Sequence, residues 1–324
     1  MAKRESEEEI YKFMDFLKFA MIIWVLFIHN YYDINEETKY TTFNVINELF
    51  SNVLSRIAVP VFFFISGYLF FFNVDFTSNI YLYKLKNRVR SLLVPYLFWN
   101  SLFIIFYFII GKISFLSKWI NGTDFSLSYV IKCFWCQYSD ENLMYPICYQ
   151  FWFIRDLMVI ILLSPIIYFL VKNCRLFVLV VVLLWFFDYS IPYLGLRGLS
   201  SVCLCFFSLG SYFSLNRKNN FLNDINKVKI LSLILYPIVI IGDFVSKDFS
   251  YNIYIHNLGI LIGVLFYFNL FKILFNKYQL LRRASFSSLS FLIFAIHEPW
   301  VLSKLKIVYI KLPPNEFYFI LLIF

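Results

Sequence analysis

Apolar stretches long enough to cross a bilayer recur along this chain, and they constrain its fold more than any motif does. A membrane-spanning helix needs ~20 mostly apolar residues. Such stretches fall near residues 13–31, 52–72, 92–111, 151–171, 175–189, 198–214, 229–245, 252–271 and 287–302. A tenth begins near residue 316, but Glu316 to Phe324 is only nine residues, so the last span is expected to be incomplete or not to cross. We therefore expect an all-α fold, a polytopic transmembrane helix bundle of about ten spans, forming a single integral-membrane domain over residues 1–324. Composition agrees: soluble domains are ~45–50% apolar and ~25% charged, whereas this chain is 61% hydrophobic and 15% charged, with a mean hydropathy of +0.71. One water-facing globule cannot hide that much apolar surface, which excludes an ordinary soluble enzyme, and the same numbers exclude disorder.

Charge then sets the expected orientation. Lys3, Arg4 and Lys12 precede the first span, Lys84, Lys86, Arg88 and Arg90 follow the second, and Lys172 and Arg175 follow the fourth. Arg217, Lys218, Lys227 and Lys229 follow the sixth, and Lys272, Lys277, Arg282 and Arg283 the eighth. All of these fall on one side of the membrane, and only the loop 303–315, with Lys304, Lys306 and Lys311, breaks the bias. By the positive-inside rule the N-terminus is cytoplasmic. The net charge of +9 is then mostly topology, so no nucleic-acid partner is expected. The first apolar stretch carries Asp15 and Lys18 with no small-residue cleavage site after it, so it is expected to stay in the protein and not to be a cleavable signal peptide.

Ionisable groups inside spans are costly enough to be functional candidates. Here they are Lys18, His29, Arg56, Arg155, Asp156, His297 and Glu298. Lys18 and His29 lie eleven residues apart, which on one helix is three turns plus ~20° and ~16 Å, so they line one face without touching. The plainer reading of Lys18 is a snorkelling side chain paired with Asp15, and of Arg155 a pair with Asp156. His256 reads as structural. Followed through the alternating spans, His29, Arg56, Arg155 and His297 arrive at a similar depth in the outer leaflet. No His/Cys/Asp/Glu spacing fits a metal's ligand set, so no metal is expected. Cys133 and Cys136 form a lone CxxC in the long outer loop with Cys148 nearby, an odd trio with room for one disulfide.

These residues resemble the integral-membrane acyltransferases of the acyltransferase-3 class. The resemblance runs nearly the whole chain, from Asp15-Phe16-Leu17-Lys18 with His29 eleven positions beyond the lysine, through Val59-Pro60-Val61-Phe62-Phe63-Phe64-Ile65-Ser66-Gly67-Tyr68. It continues in Arg88-Val89-Arg90 leading to Pro95-Tyr96-Leu97-Phe98-Trp99, in Phe151-Trp152-Phe153-Ile154-Arg155-Asp156-Leu157, in Phe206-Phe207-Ser208-Leu209-Gly210, and in Ser287 to Pro299 with His297. The family often has Arg where this chain has Lys18, which keeps the charge but not the bidentate fork.

The resemblance implies O-acetylation of a surface polysaccharide or its lipid-linked precursor, in a plasma (inner) membrane. The donor would be cytoplasmic acetyl-CoA or another short acyl-CoA. Lys86, Arg88 and Arg90 would meet its phosphates, and Lys18 would stand inside the way in. A neutral imidazole, with a usual pKa of ~6.5, suits taking the proton of an attacking sugar hydroxyl. That role is expected of His29 before His297, with Arg56 or Arg155 stabilising the oxyanion. Direct transfer and a transient acyl-histidine are both open. So are homo-oligomerisation, contacts with membrane lipid, and the competing classes: a transporter or flippase, and a non-catalytic subunit of polysaccharide export.

Overall fold

The computed structural model describes residues 7–32, 41–112, 126–136, 138–140, 143–174, 176–187, 198–217, 221–283, 286–302 and 305. In chain order its elements are α1 (Glu7–His29), α2 (Thr42–Glu48), α3 (Ala58–Phe71), α4 (Ser78–Arg88), α5 (Val94–Lys112) and α6 (Leu127–Trp135), then strands β1 (Tyr138–Asp140) and β2 (Leu143–Tyr145). Next come α7 (Trp152–Leu162), α8 (Ser164–Asn173), α9 (Phe177–Phe186), α10 (Ser201–Arg217) and α11 (Phe221–Lys227). The last are α12 (Lys229–Ser246), α13 (Asn252–Lys277), α14 (Gln279–Arg283) and α15 (Ser287–Ile296). Among the described residues the one sheet is the antiparallel β1–β2 ribbon, pairing Tyr138 with Tyr145, so the fold is helical apart from that ribbon.

Among the described residues, four helical stretches are long and apolar enough to cross a membrane: Thr42–Phe71, Ser78–Ile109, Lys229–Ser246 and Asn252–Lys277. A fifth is the pair Tyr149–Leu162 and Ser164–Asn173, if its two halves, bent by 62°, count as one span. Length and composition thus support four or five spans among the described residues, and the expected count of ten is not reached there. Any stretch of α1 long enough to span contains Lys12, Asp15 and Lys18, while α9 and α10 are 10 and 17 residues. The span expected from residue 316, and Lys304, Lys306 and Lys311 before it, lie outside the described residues.

The chain divides into two compact units. The first comprises Met1–Asn73, Arg175–Ser190 and Cys205–Phe324. Its α2 continues through a π turn (Leu49–Leu54) and a 3-10 turn (Ser55–Ile57) into α3, so the chain stays helical from Thr42 to Phe71. Its interior is aromatic: Phe64, Phe221 and Phe268 meet with ring centroids 5.3 to 5.4 Å apart, Phe268 edge-on to the other two and Phe64 stacked on Phe221, arrangements that the ring quadrupoles favour. Two glycines let backbones touch. A Cβ on Gly67 would overlap the Phe207 carbonyl, and one on Gly210 would overlap the Phe64 carbonyl. Small residues at such crossings are how helices approach closely in lipid, where no hydrophobic force drives them together.

In the same unit, α12 and α13 form an antiparallel hairpin fastened at its turn by buried Asp243. Its carboxylate lies 2.8 Å from His256 Nδ1 and accepts from Asn252 Nδ2 at 2.8 Å. His256 thus has the architectural place read from the sequence.

The second unit comprises Val74–Cys174 and Ile191–Leu204. The bend between α7 and α8 falls where Pro165 opens α8; proline lacks the amide hydrogen that would continue the ladder. At the break Ile166 N donates to the Leu163 carbonyl at 3.0 Å, and the Leu162 carbonyl accepts instead from the Tyr81 hydroxyl at 3.2 Å.

Candidate active site

His29 is the last residue of α1, and the chain beyond it is held in place. Asn30 N donates back to the Leu26 carbonyl, and Asn47 of α2 bonds both Tyr32 N and the Tyr32 carbonyl, at 3.2 and 2.7 Å. This exit fixes where α1 presents its half-buried histidine.

His297 arrives from α15. It opens a π turn (His297–Val301), and the next residue, Glu298, leaves the helical region at φ −129° and ψ 142°. The cause is local: Pro299 follows, and a residue before proline is pushed out of the α region. The break keeps His297 at the end of the helix, 2% exposed, with Nδ1 2.7 Å from the Phe294 carbonyl. A carbonyl accepts, so Nδ1 carries the hydrogen and Nε2 carries the lone pair. That Nε2 is buried and has no hydrogen-bond partner among the described residues.

The two imidazoles lie together, ring centroids 5.0 Å apart and inclined at 50°. Two contacts hold α1 and α15 parallel so that this happens. At one end Asp15 Oδ2 accepts from Phe286 N at 2.9 Å, meeting an orphan amide at the start of α15; at the other end the histidines meet. Lys18 stands beside the first contact, its Nζ 3.7 Å from Asp15 Oδ1. Asp15 entered the sequence reading only as a partner for Lys18. Its contact joins residues 271 apart in sequence, and no local pattern carries that.

Arg56 is in the same unit, exposed in the 3-10 turn, donating to Asn52 Oδ1 at 2.6 Å; Asn52 in turn donates to the Glu48 carboxylate at 3.2 Å. Arg155 belongs to the second unit and is buried there. Its Nε and Nη2 donate to Asp156 Oδ1 at 3.3 and 3.0 Å, and its Nη1 donates to the Trp135 carbonyl at 2.8 Å. Asp156 Oδ2 also accepts from Ser200 N at 2.9 Å. The pair foreseen as the plainer reading of Arg155 is thus present, and it ties together α6, α7 and the segment before α10. Gly198, at φ 114°, packs against the Arg155 and Trp135 side chains; the positive φ favours glycine, and a Cβ there would also press on both side chains. Lys86, Arg88 and Arg90 lie in the second unit, on α4 and the π turn (Val89–Leu93) that follows it; Lys86 and Arg90 are exposed and Arg88 half-buried.

No group of three or more His, Cys, Asp and Glu able to hold a metal occurs among the described residues. Cys133, Cys136 and Cys148 are free thiols, so the one disulfide the trio had room for is not formed. Cys148 is buried, its amide donating to Asn100 Oδ1 at 3.2 Å, and burial pushes its thiol up to about 12.

Apolar helices of spanning length and a histidine pair at the end of two parallel helices define a polytopic helical membrane protein with a polar centre. The chain belongs to the acyltransferase-3 family: the family model, described as an acyltransferase domain, matches residues 11–324. It is also similar to the succinoglycan biosynthesis protein ExoH of Rhizobium meliloti (strain 1021), 27% identical over 172 residues, which cover 49% of this chain and 43% of that protein. The match thus spans less than half of that relative's length. No solved structure matches.

Proposed function

We propose that this chain is a membrane O-acyltransferase that moves an acetyl or another short acyl group from acyl-CoA to a hydroxyl of a carbohydrate, a surface polysaccharide or its lipid-linked precursor. The observation that carries the reading is the His29–His297 pair, with one ring locked in a single tautomer beside the other. Family membership supports the acyl transfer, and the similarity to a succinoglycan biosynthesis protein supports the carbohydrate. We read both units as one acyltransferase domain, because the family match runs through both. We read the N-terminus as cytoplasmic, which the distribution of basic residues supports, and the membrane as the inner one, which the family membership supports.

In this mechanism the acceptor hydroxyl attacks the carbonyl carbon of the thioester while neutral His29 takes its proton. The C–S bond then breaks, and the CoA thiolate leaves and recovers that proton as the thiol. His29 is the base because it is the more accessible ring and stands three turns from Lys18 on α1; His297 lies beside it and fixes the surroundings of its ring. Arg56 is the group for the oxyanion that develops on the carbonyl. Arg155 is assigned to architecture, since its donors already serve Asp156 and Trp135. Lys18 lines the path of the donor.

The test is purified protein supplied with acetyl-CoA and candidate carbohydrate acceptors, with free CoA and acylated product both quantified. The expected result is CoA release matched one for one by acyl groups on the acceptor. CoA binding without any acyl transfer, or transport of an acceptor with no CoA released, would contradict it.

A further inference from the structure

His297 is 2% exposed, and no donor among the described residues reaches its Nε2. A buried acceptor without a donor is costly, so one beside a candidate base points to a partner that comes with the reaction. Turning the ring over does not relieve it. Nδ1 gives its hydrogen to the Phe294 carbonyl at 2.7 Å, and a carbonyl only accepts, so the lone pair is pinned to Nε2. The neighbouring ring is that of His29, half-buried at the end of α1, with its centroid 5.0 Å away. Imidazole nitrogens lie about 1.1 Å from the ring centre, so rings at that separation can bring two nitrogens to about 2.8 Å, which is hydrogen-bond distance.

We infer that His297 is a positioning residue for acyl transfer: its Nε2 accepts the N–H of His29, and that bond decides which nitrogen of His29 acts as the base. The inference rests on the acyltransferase reading above. A neutral imidazole has one N–H and one lone pair, and the bond made by one nitrogen sets the state of the other. Were the hydrogen of His29 on the nitrogen that meets the acceptor, that nitrogen could take no proton. With the hydrogen directed at His297, the other nitrogen offers its lone pair to the sugar hydroxyl.

Polarity thus runs one way, from the Phe294 carbonyl through His297 and His29 to the acceptor. As the hydroxyl oxygen bonds the acyl carbon, its proton passes to the free nitrogen of His29, while the hydrogen shared with His297 stays where it is. When the C–S bond breaks, the thiolate takes up that proton, so His297 changes neither charge nor tautomer. A neutral ring does here what a buried carboxylate does for the histidine of a Ser-His-Asp triad, without placing a second charge in an apolar site. In the structure the rings are inclined at 50° and the bond to Nε2 is not made; catalytic hydrogen bonds often tighten only with substrates in place.

Two amide substitutions separate this role from a structural one. The oxygen of Gln can stand where Nε2 stands, so His297→Gln keeps an acceptor for His29 and gives up the bond to Phe294. The amide nitrogen of Asn can stand where Nδ1 stands, so His297→Asn keeps a donor for the Phe294 carbonyl and offers His29 nothing. The measurement is acetyl-CoA-dependent acyl transfer by the full chain in nanodiscs, with the de-O-acylated surface polysaccharide of the source cell as acceptor. Thermal unfolding and CoA binding check the fold. His297→Gln is expected within about tenfold of wild type, the loss of one neutral hydrogen bond, and His297→Asn about 10²-fold or more below it, with CoA binding retained in both. A histidine that only fastens the end of α15 gives the reverse order, so folded His297→Asn as fast as folded His297→Gln would overturn the inference and leave the acyltransferase reading intact. A wild type that acylates nothing would overturn both. If either variant does not fold, nitrogen-15 NMR of histidine-labelled wild type with CoA bound decides, since the chain has only three histidines. His29 is expected there in a single tautomer; a mixture of its two tautomers would overturn the inference.

Discussion

Arg155 illustrates how one side chain can match a motif and still serve mainly to build. Its guanidinium is buried between Asp156 and the Trp135 carbonyl, and Asp156 also holds the Ser200 amide. Breaking a buried ion pair leaves a charge with no solvent and no partner, at a cost of about 3–5 kcal/mol. Arg155→Ala is thus expected to lower the unfolding midpoint in detergent markedly, whereas Arg56→Ala, at an exposed turn, should change it little and lower turnover instead. Equal unfolding midpoints for the two variants would contradict this division. His29 and His297 were legible because ionisable groups inside apolar stretches are costly and because each lies in a segment that resembles the family's; His256, equally set among apolar residues, is architectural. That His29 and His297 meet was foreseen only as a shared depth. The contact depends on Asp15 meeting the start of α15 and on Pro299 breaking the chain after His297, and only the second of these has a local sequence signal.

Helix against helix, the glycines of the resembling segments have a mechanical reason. Gly67 and Gly210 lie where α3 and α10 press backbone to backbone, and a methyl group at either would occupy the place of a carbonyl oxygen. A carbonyl in a helix cannot swing aside as a side-chain tip can. Gly67→Ala and Gly210→Ala are therefore each expected to destabilise by about 1–3 kcal/mol, the usual range for overpacking, read as a lower unfolding midpoint and poorer yield of monodisperse protein. Gly242→Ala is the control, because a Cβ there meets only the Ile255 side chain at an ordinary 3.7 Å. The number of spans was less legible than the helices themselves. Hydropathy marks where apolar residues cluster, but α1 carries charge within its length, and α7 and α8 divide one apolar run at Pro165. Those irregularities follow from single residues that a window average smooths away.

For the chain in its membrane, thiol chemistry reads both orientation and burial. Cys174 is exposed and follows Lys172 on the face assigned to the cytoplasm, whereas Cys148 is buried with its thiol raised to about 12. The thiolate is the reactive form, so a raised value means that Cys148 remains protonated and inert at pH 8 and gains reactivity only as pH rises toward 12. A membrane-impermeant maleimide at pH 8 should leave both cysteines unlabelled in intact cells and label Cys174, not Cys148, once the membrane is opened. Labelling of Cys174 in intact cells would reverse the orientation. The reaction itself is tested most directly by acetyl-CoA turnover of the purified wild type and His29→Ala, with CoA binding followed in parallel. Removing a general base is expected to lower turnover about 10²–10⁴-fold while CoA binding is retained; equal turnover by the two proteins would contradict His29 as the base.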